Sequence, residues 1–356
     1  MFFLRISFIF IFLLSYQSSL YSKSTSFIEI DSKNFSNYFS GIVAFENNEN
    51  FKALEFFNSS KILLNQHDPY LKRFVYSLVL ENKVSEAIKI IKKNKGRNNL
   101  NFFEAHLLLI LDNLSKDNFD KAYSQVIILA DFAQQDRFHS AIIESLKQYI
   151  YVFKEKKTLP NKKNYGKLSI ISETFQKCFL KDLTTDSYFT NLFNDPEADY
   201  TRYIFFYLSY LIENKKLDDA VKIANDIDYI NSSILLSQGK SWIENRNAEK
   251  LIKVFSCNNP NDIISEFLFL LSNLYSSQDD FEKSNFYLNL SSFLNPKFVF
   301  NLSLVVENLY LNNEYNKAKM ILKNFEKEDS FYFWYRIKKE AQIISKQKNR
   351  KDSLNF

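Results

Sequence analysis

Glycine and proline are scarce in this chain, with 4 Gly and 5 Pro among 356 residues. A β-rich or α/β fold of this length needs many more such residues for tight turns and phosphate-binding loops. Histidine (3) and cysteine (2) are also rare, and the sequence contains no Gly-rich phosphate loop, HExxH, GxSxG or CxxC motif. These absences predict an all-α protein that is not an enzyme and that holds no cofactor and no metal ion.

The chain also lacks a large excess of positive or negative charge. The formal net charge of +5 results from 46 basic and 41 acidic residues scattered along the whole chain. A nucleic-acid-binding protein needs a concentrated basic stripe, so we expect no nucleic-acid partner. The apolar fraction of 46% is large enough to build a substantial core, which argues against general disorder.

The two cysteines, Cys178 and Cys257, leave two alternatives open. They can pair in an oxidising compartment, or they can be two buried free thiols, which is the default expectation from sequence alone. His67, His106 and His139 show no ligand spacing relative to them, so no zinc site is predicted.

The first 22 residues have the organisation of a secretory signal peptide. Arg5 is their only charged residue, the apolar run Ile6–Leu14 follows, and the small polar stretch Ser15–Ser22 ends the segment. The run is shorter than the roughly 20 residues that span a bilayer, so an uncleaved anchor is the weaker alternative. We therefore expect a periplasmic, secreted or cell-envelope protein with no stable transmembrane segment after cleavage.

A small residue recurs with a period near 34 residues, each time just inside the second of two predicted amphipathic helices. The positions are Ala53, Ala87, Ala122, Ala220, Leu251 (in place of a small residue), Ser284 and Ala318. The gap from Ala122 to Ala220 fits three further units, at least one of them degenerate. The period predicts a series of helical hairpins.

This pattern resembles the tetratricopeptide repeat (TPR) family, whose unit is a 34-residue pair of antiparallel helices. In the clearest copy, Leu268, Leu271, Ser272 and Tyr275 match the motif positions that precede Ser284. Gly41 and Gly239 fall where the two helices of a unit approach closely, whereas Val75 and Leu208 occupy that small site in two looser units. The resemblance implies an all-α, right-handed superhelical solenoid of hairpins with a concave groove.

The pattern also predicts the organisation of the chain. The segments are a signal peptide (1–22), N-terminal TPR-like repeats (35–155), a diverged repeat or linker (156–194), C-terminal TPR-like repeats (195–345) and a basic tail (346–356). Within the less regular stretch 136–194, helical patterns cover 138–153, 168–180 and 187–193, with a bend near Pro160; a break between two domains is the alternative. For the tail, a capping helix and a truncated gene product are alternatives.

The resemblance places the partner-binding residues on the concave face. These are Tyr38, Lys72, Tyr76, Arg202, Phe205, Phe269, Asn273, Glu307 and Tyr310, with Ile42 and Ser303 at equivalent offsets. Their charges are mixed, which argues against a dedicated carboxylate clamp, whereas Tyr and Arg are favoured at interface hot spots. The prediction is a non-catalytic scaffold that binds protein or peptide partners. An accessory protein that binds envelope glycan is the alternative, and the aromatic cluster Phe331–Tyr335 indicates self-association as a further option.

Overall fold

The computed structural model describes residues 31–65, 67–94, 100–195, 201–325 and 330–347. The predicted signal peptide, Pro196 and the basic tail from residue 348 onward lie outside the described residues. The described segments contain 18 α-helices, two short 3₁₀ helices (Lys61–Asn65 and Ala130–Phe132) and no β-strand. The all-α class predicted from the sequence is confirmed.

The helices follow one another with short connections. In chain order they are α1 (Ser32–Glu46), α2 (Asn50–Ser59), α3 (Asp68–Leu80), α4 (Val84–Lys93), α5 (Phe103–Leu114), α6 (Phe119–Leu129), α7 (His139–Glu155), α8 (Lys167–Leu180), α9 (Thr185–Phe193), α10 (Tyr203–Glu213), α11 (Leu217–Asn225), α12 (Ile234–Glu244), α13 (Glu249–Val254), α14 (Pro260–Ser276), α15 (Phe281–Leu294), α16 (Asn301–Leu311), α17 (Tyr315–Leu322) and α18 (Ser330–Gln347). Eight pairs form hairpins, namely α1/α2, α3/α4, α5/α6, α8/α9, α10/α11, α12/α13, α14/α15 and α16/α17.

One type of turn closes all eight hairpins. In the first, Asn48 has the left-handed backbone conformation (φ 59°), and the next N–H, that of Glu49, donates to the Ala44 carbonyl at 2.9 Å. This is the Schellman arrangement, which satisfies carbonyls that the end of a helix would otherwise leave unpaired. The left-handed residues of the other hairpins are Asn82, Asp117, Lys181, Lys215, Arg246, Asp279 and Asn313.

The turn explains the register of the sequence repeat. In every hairpin turn except that of Lys181, the left-handed residue lies five positions before one of the recurring small residues or Leu251. All seven of those recurring residues have 0% exposed surface. The sequence repeat therefore reflects a repeated structure, because each turn places the first turn of the second helix at the same buried position. In the diverged hairpin α8/α9, the second helix begins four residues after Lys181, instead of two or three residues after the turn as in the other hairpins.

Two glycines confirm the close helix approach predicted from the repeat. A Cβ atom added at Gly41 would lie 2.7 Å from a ring carbon of Phe57, on the partner helix of the same hairpin. At Gly239 it would lie 3.1 Å from Phe205 and 3.5 Å from Leu251. A larger residue at Gly41 would require the Phe57 ring to shift, and one at Gly239 would require the Phe205 ring to move by a few tenths of an ångström.

The middle of the chain departs from the hairpin rule. The predicted helix at 138–153 is confirmed as α7, and those at 168–180 and 187–193 as α8 and α9. However, α7 is followed by the non-helical segment 156–166 and not by a second helix. This segment is tied to α7, since the Lys163 N–H donates to the Glu144 carboxylate at 3.1 Å. The interval between Ala122 and Ala220 thus holds one unpaired helix and the hairpin α8/α9 before α10 begins.

Cys178 and Cys257 form a disulfide, with their Cα atoms 5.6 Å apart. The default expectation of two free thiols was therefore wrong. Cys178 lies in α8 and Cys257 lies just after α13, so the bond joins segments separated by 79 residues. The pairing depends on the packing of α8 near α14, which no local sequence pattern encodes.

The C-terminal half returns to contact the N-terminal half. Helix α15 packs against α3 and α4, where the Phe286 ring stacks on Tyr76 with centroids 4.5 Å apart. The Asn289 amide donates to the Val79 and Leu80 carbonyls, at 2.9 and 3.1 Å. These carbonyls lie in the last turn of α3, where a helix leaves carbonyls without an i+4 donor, and the Val79 carbonyl also accepts the Asn82 N–H at 2.9 Å.

Polar contacts extend this interface on both sides. The Asp136 carboxylate accepts hydrogen bonds from the Tyr275 hydroxyl at 2.8 Å and from Lys283 at 2.9 Å. Lys317 of α17 donates to the Asn48 carbonyl in the first hairpin turn. We call the whole contact the closing seam; it comprises Asn48, Tyr76, Val79, Leu80, Asp136, Tyr275, Glu282, Lys283, Phe286, Asn289 and Lys317.

Two hydrophobic cores result. The larger extends from Tyr38 to Phe298 without a break, and it includes residues from both sides of the diverged middle. The smaller contains Val306, Ala318, Tyr332 and Ile343 and is formed by α16, α17 and α18. The aromatic cluster Phe331–Tyr335 lies in α18, and its Trp334 is 68% exposed.

Candidate partner-binding surfaces

Three of the nine predicted partner-binding residues are buried. Tyr38, Phe205 and Phe269 have only 2%, 0% and 6% of their surface exposed. Tyr38 packs against the rings of Phe57 and Tyr70, with centroids 6.1 and 5.7 Å away. The offsets that predicted a concave lining thus select, at these three positions, side chains that pack between helices. This burial corrects the expectation that these three side chains are accessible to a partner.

Arg202 makes an internal ion pair. Its Nε donates to Glu266 Oε1 at 3.0 Å, and its Nη2 donates to Oε2 at 2.5 Å. The guanidinium also lies over the rings of Phe269 and Phe300, with Cζ 3.9 and 4.8 Å from the centroids. Burial raises the pKa of Glu266, and Arg202 counteracts part of that rise. Arg202 therefore fixes the start of α10 against α14, and its charge is already neutralised within the chain.

The remaining predicted residues are divided among separate places. Tyr76 belongs to the closing seam, and Lys72 is half-exposed, 3.5 Å from Glu104. Asn273 is exposed on α14. Glu307 accepts hydrogen bonds from the Tyr335 hydroxyl and the Lys339 ammonium, and Lys339 lies over the Tyr310 ring at 4.6 Å. Of the nine residues, only Lys72 and Asn273 are exposed, and Tyr76, Arg202, Glu307 and Tyr310 are partly buried.

An open groove lies instead on the outer side of the first hairpin. It is lined by Ser36, Phe39, Ser40, Val43, Ala44, Asn47, Glu49, Lys52 and Phe56, all from α1, α2 and the turn between them. We call it the terminal groove. Phe39 and Val43 are each 60% exposed, which is unusual for large apolar side chains four residues apart on one helix.

The walls and rim of the terminal groove differ in character. Ala44 is 95% buried and forms part of its base, whereas Phe39 and Val43 present apolar carbon to solvent. At the rim, Lys52 and Glu49 form an exposed ion pair of 3.0 Å, so this part of the rim carries no net charge. Such a groove is suited to bury apolar side chains, with little electrostatic selection for ligands of one sign.

Sequence reasoning missed this groove by one residue. It selected Tyr38 and Ile42 for the first hairpin, but the exposed apolar pair is Phe39 and Val43. A signal was present: the first unit of a repeat has no preceding neighbour, so apolar residues on its outer face lack an internal partner. To use that signal, one must know on which side of the helix each residue lies, and the 34-residue period alone does not determine this.

The closing seam contains two carboxyl groups with opposite pKa shifts. Burial raises the pKa of Asp136, but the Phe138 N–H, Lys283 and Tyr275 together outweigh this and hold the pKa at about 2. Glu282, at the start of α15, has its pKa raised to about 7, first by burial and then by the nearby Asp280 and Glu46 carboxylates. One group is thus held as an anion by its donors, whereas the other favours its protonated form.

Among the described residues, no cluster of three or more His, Cys, Asp or Glu side chains is arranged to hold a metal ion. In the same part of the chain, every helix is too short or too polar to cross a membrane.

Comparison with known proteins finds neither a matching protein-family model nor a matching curated protein.

Proposed function

We propose that the chain is a non-catalytic scaffold of TPR type, a superhelical solenoid of hairpins that binds a protein partner through the terminal groove. The observation that carries this proposal is the pair of apolar side chains, Phe39 and Val43, held 60% exposed above the buried base of the groove. Contiguous exposed apolar surface rimmed by polar groups is typical of protein–protein contact sites.

The family proposal is supported by the repeated geometry. Eight hairpins share one turn, and the small residues that define the 34-residue period are fully buried at one equivalent place. Hairpins of this kind stack because each one exposes an apolar face when alone.

The carboxyl groups support a non-catalytic role. Burial raises the pKa of Asp262 to about 6, but its carboxylate accepts the Ser256 N–H and the Asn259 amide and is 8% exposed. Glu282 lies within the closing seam. Carboxyl groups with raised pKa are candidates for acid–base catalysis when they line a cleft, and neither of these two lines the terminal groove.

An exported location is part of the proposal. The disulfide between Cys178 and Cys257 supports it, because disulfides persist in oxidising compartments such as the bacterial periplasm and are rare in the cytosol. The signal-peptide prediction for residues 1–22 points in the same direction. N-terminal sequencing of the exported protein tests it, since an intact Met1 in the membrane fraction would contradict release of a soluble protein.

The binding proposal is tested by site-specific photocrosslinking in the source cell. Benzoylphenylalanine in place of Phe39 should give discrete protein adducts, and the same probe at Ile230, which is 89% exposed but outside the groove, should not. Val43→Glu should abolish the Phe39 adducts. Absence of protein adducts, together with retention of the protein on sedimented cell wall that Val43→Glu abolishes, would favour the glycan-binding alternative.

A further inference from the structure

We propose that the terminal groove binds an amphipathic α-helix of the partner protein. The helix would take the place that the preceding hairpin occupies at the next hairpin along the chain. This inference rests on the proposed protein-binding function and adds the chemistry of the ligand.

The second hairpin shows what this face of a hairpin accepts. One repeat of 34 residues further along the chain, the positions equivalent to Ser36, Ser40, Val43 and Ala44 of the terminal groove are Tyr70, Phe74, Ser77 and Leu78 of α3. These four residues are at most 1% exposed. Helices α1 and α2 both pack against α3, and the Tyr70 ring contacts Tyr38 and Phe57 of the first hairpin. Among the described residues, no element covers the equivalent face of α1, where Ser36, Phe39 and Val43 are exposed.

A helix provides the cover at α3. The Tyr70 hydroxyl donates to the Phe57 carbonyl of α2, and the two rings meet edge to face with centroids 6.0 Å apart. Phe57 and Leu54, three residues apart on α2, are 0% and 2% exposed. The terminal groove is the face of α1 that corresponds to the face of α3 on which α2 packs. The ligand that corresponds to α2 is therefore a helix with apolar residues three or four positions apart.

The side chains of the groove define what that helix must carry. Where α3 has the large residues Tyr70 and Phe74, α1 has Ser36 and Ser40, and the missing volume leaves space above them. Large apolar side chains of a partner helix would fill this space between Phe39 and Val43. The paired Glu49 and Lys52 at the rim leave little net charge there, which does not favour a polyanionic ligand.

A peptide titration tests the inference. The probe is a fluorescein-labelled peptide of residues 49–65, which includes α2, the helix that fills the equivalent place at α3. We expect saturable binding to the purified protein, with a gain of helical circular dichroism in the peptide. Phe39→Glu or Val43→Glu should weaken binding at least tenfold. Met320→Glu, at a residue 67% exposed but outside the groove, should leave it unchanged.

Several results would overturn the inference. These are equal binding of a peptide in which Leu54 and Phe57 are both replaced by Asp, unchanged binding by the Phe39→Glu protein, or no binding at millimolar peptide. Monomerisation by Phe39→Glu of a protein that otherwise sediments as a dimer would identify a second copy as the occupant. A tenfold gain in affinity on removal of residues 1–30 would identify the chain's own N-terminal segment.

The two proposals fail in distinguishable ways. If benzoylphenylalanine at Phe39 forms protein adducts in cells but the crosslinked partner segments are extended, the helix inference is overturned and the scaffold function stands. If no protein adducts form at Phe39, the scaffold function through this groove fails, whatever the synthetic peptide does.

Discussion

Asp136 and Lys283 form an ion pair of 2.9 Å although 147 residues separate them in the sequence. Asp136 lies in the connection before α7, and Lys283 lies in the first turn of α15. The Tyr275 hydroxyl donates to the same carboxylate at 2.8 Å. A single side chain thus joins the middle of the chain to the hairpin that closes the seam.

Loss of this carboxylate should loosen the seam. Asp136→Ala removes the acceptor of two side-chain donors and of the Phe138 N–H, so we expect the free energy of unfolding to fall by about 1–3 kcal/mol. Asp120→Ala is the control, because Asp120 is 82% exposed and pairs with Lys154 at the surface; its cost should stay below about 1 kcal/mol. Urea denaturation measures both. Equal losses would show that the seam contact adds no stability.

The two carboxyl groups of the seam predict opposite responses to pH. Asp136 has a folded-state pKa of about 2, below its ordinary value, so its contribution is present above about pH 4 and is lost as the pH falls towards 2. Glu282 has a folded-state pKa of about 7, above its ordinary value, so the folded state binds its proton more tightly. Its contribution to stability is greatest below about pH 4.5 and is lost as the pH rises to about 7.

Glu282→Gln isolates the second response. The amide mimics the protonated carboxyl, so the variant should be more stable than the wild type at pH 8 by about 1–3 kcal/mol, with little difference at pH 4. Thermal denaturation from pH 4 to pH 8 measures the difference between the two proteins. The matched control is Glu55→Gln at an exposed position of α2. A constant difference between wild type and Glu282→Gln over this range would contradict the assignment.

Reduction of the disulfide should destabilise the chain strongly. The bond joins residues 79 positions apart. Because it closes so long a loop, it restricts the unfolded state and should raise the free energy of unfolding by about 2–4 kcal/mol. The wild type should therefore lose this amount in urea when a reductant is added. A Cys178→Ala, Cys257→Ala double variant should be weakened already and should not respond further. Identical denaturation curves with and without reductant would contradict the pairing.

The hairpin turns offer a stabilising substitution. Lys215 has φ 62°, a conformation that costs a residue with a Cβ about 1–2 kcal/mol and costs glycine far less. Lys215→Gly should therefore raise the free energy of unfolding by about 0.5–1 kcal/mol. Lys222→Gly is the control in the same hairpin, at an exposed position inside α11, and should lower it by about 1 kcal/mol. A loss in both variants would show that the turn tolerates lysine without strain.

The helical hairpins could be predicted from the sequence because their determinants are local. Small residues such as Ala87 and Ala122 recur at one buried position, and the turns before them lie within five residues. The closing seam could not be predicted in this way. Nothing near Asn289 indicates that its amide will meet the carbonyls of α3, about 210 residues earlier.

The candidate site was predicted less well for a related reason. Tyr38 and Phe39 are adjacent aromatic residues of similar size, yet Tyr38 is 2% exposed and Phe39 is 60% exposed. One residue is a rotation of about 100° around the helix, and the 34-residue period is not sharp enough to resolve it. Burial at this level depends on which neighbouring hairpin is present, and no hairpin precedes the first one within the described part of the chain.

The return of α15 to α3 has a consequence for how the chain unfolds. A row of hairpins in which each contacts only its neighbours behaves as a one-dimensional series, in which end units can fray while the rest stays folded. Here the seventh hairpin is fastened to the second and the eighth to the first, so the first two hairpins cannot detach without breaking contacts made by residues more than 200 positions later. Long-range closure of this kind turns a modular row into one cooperative unit, at the cost of slower folding.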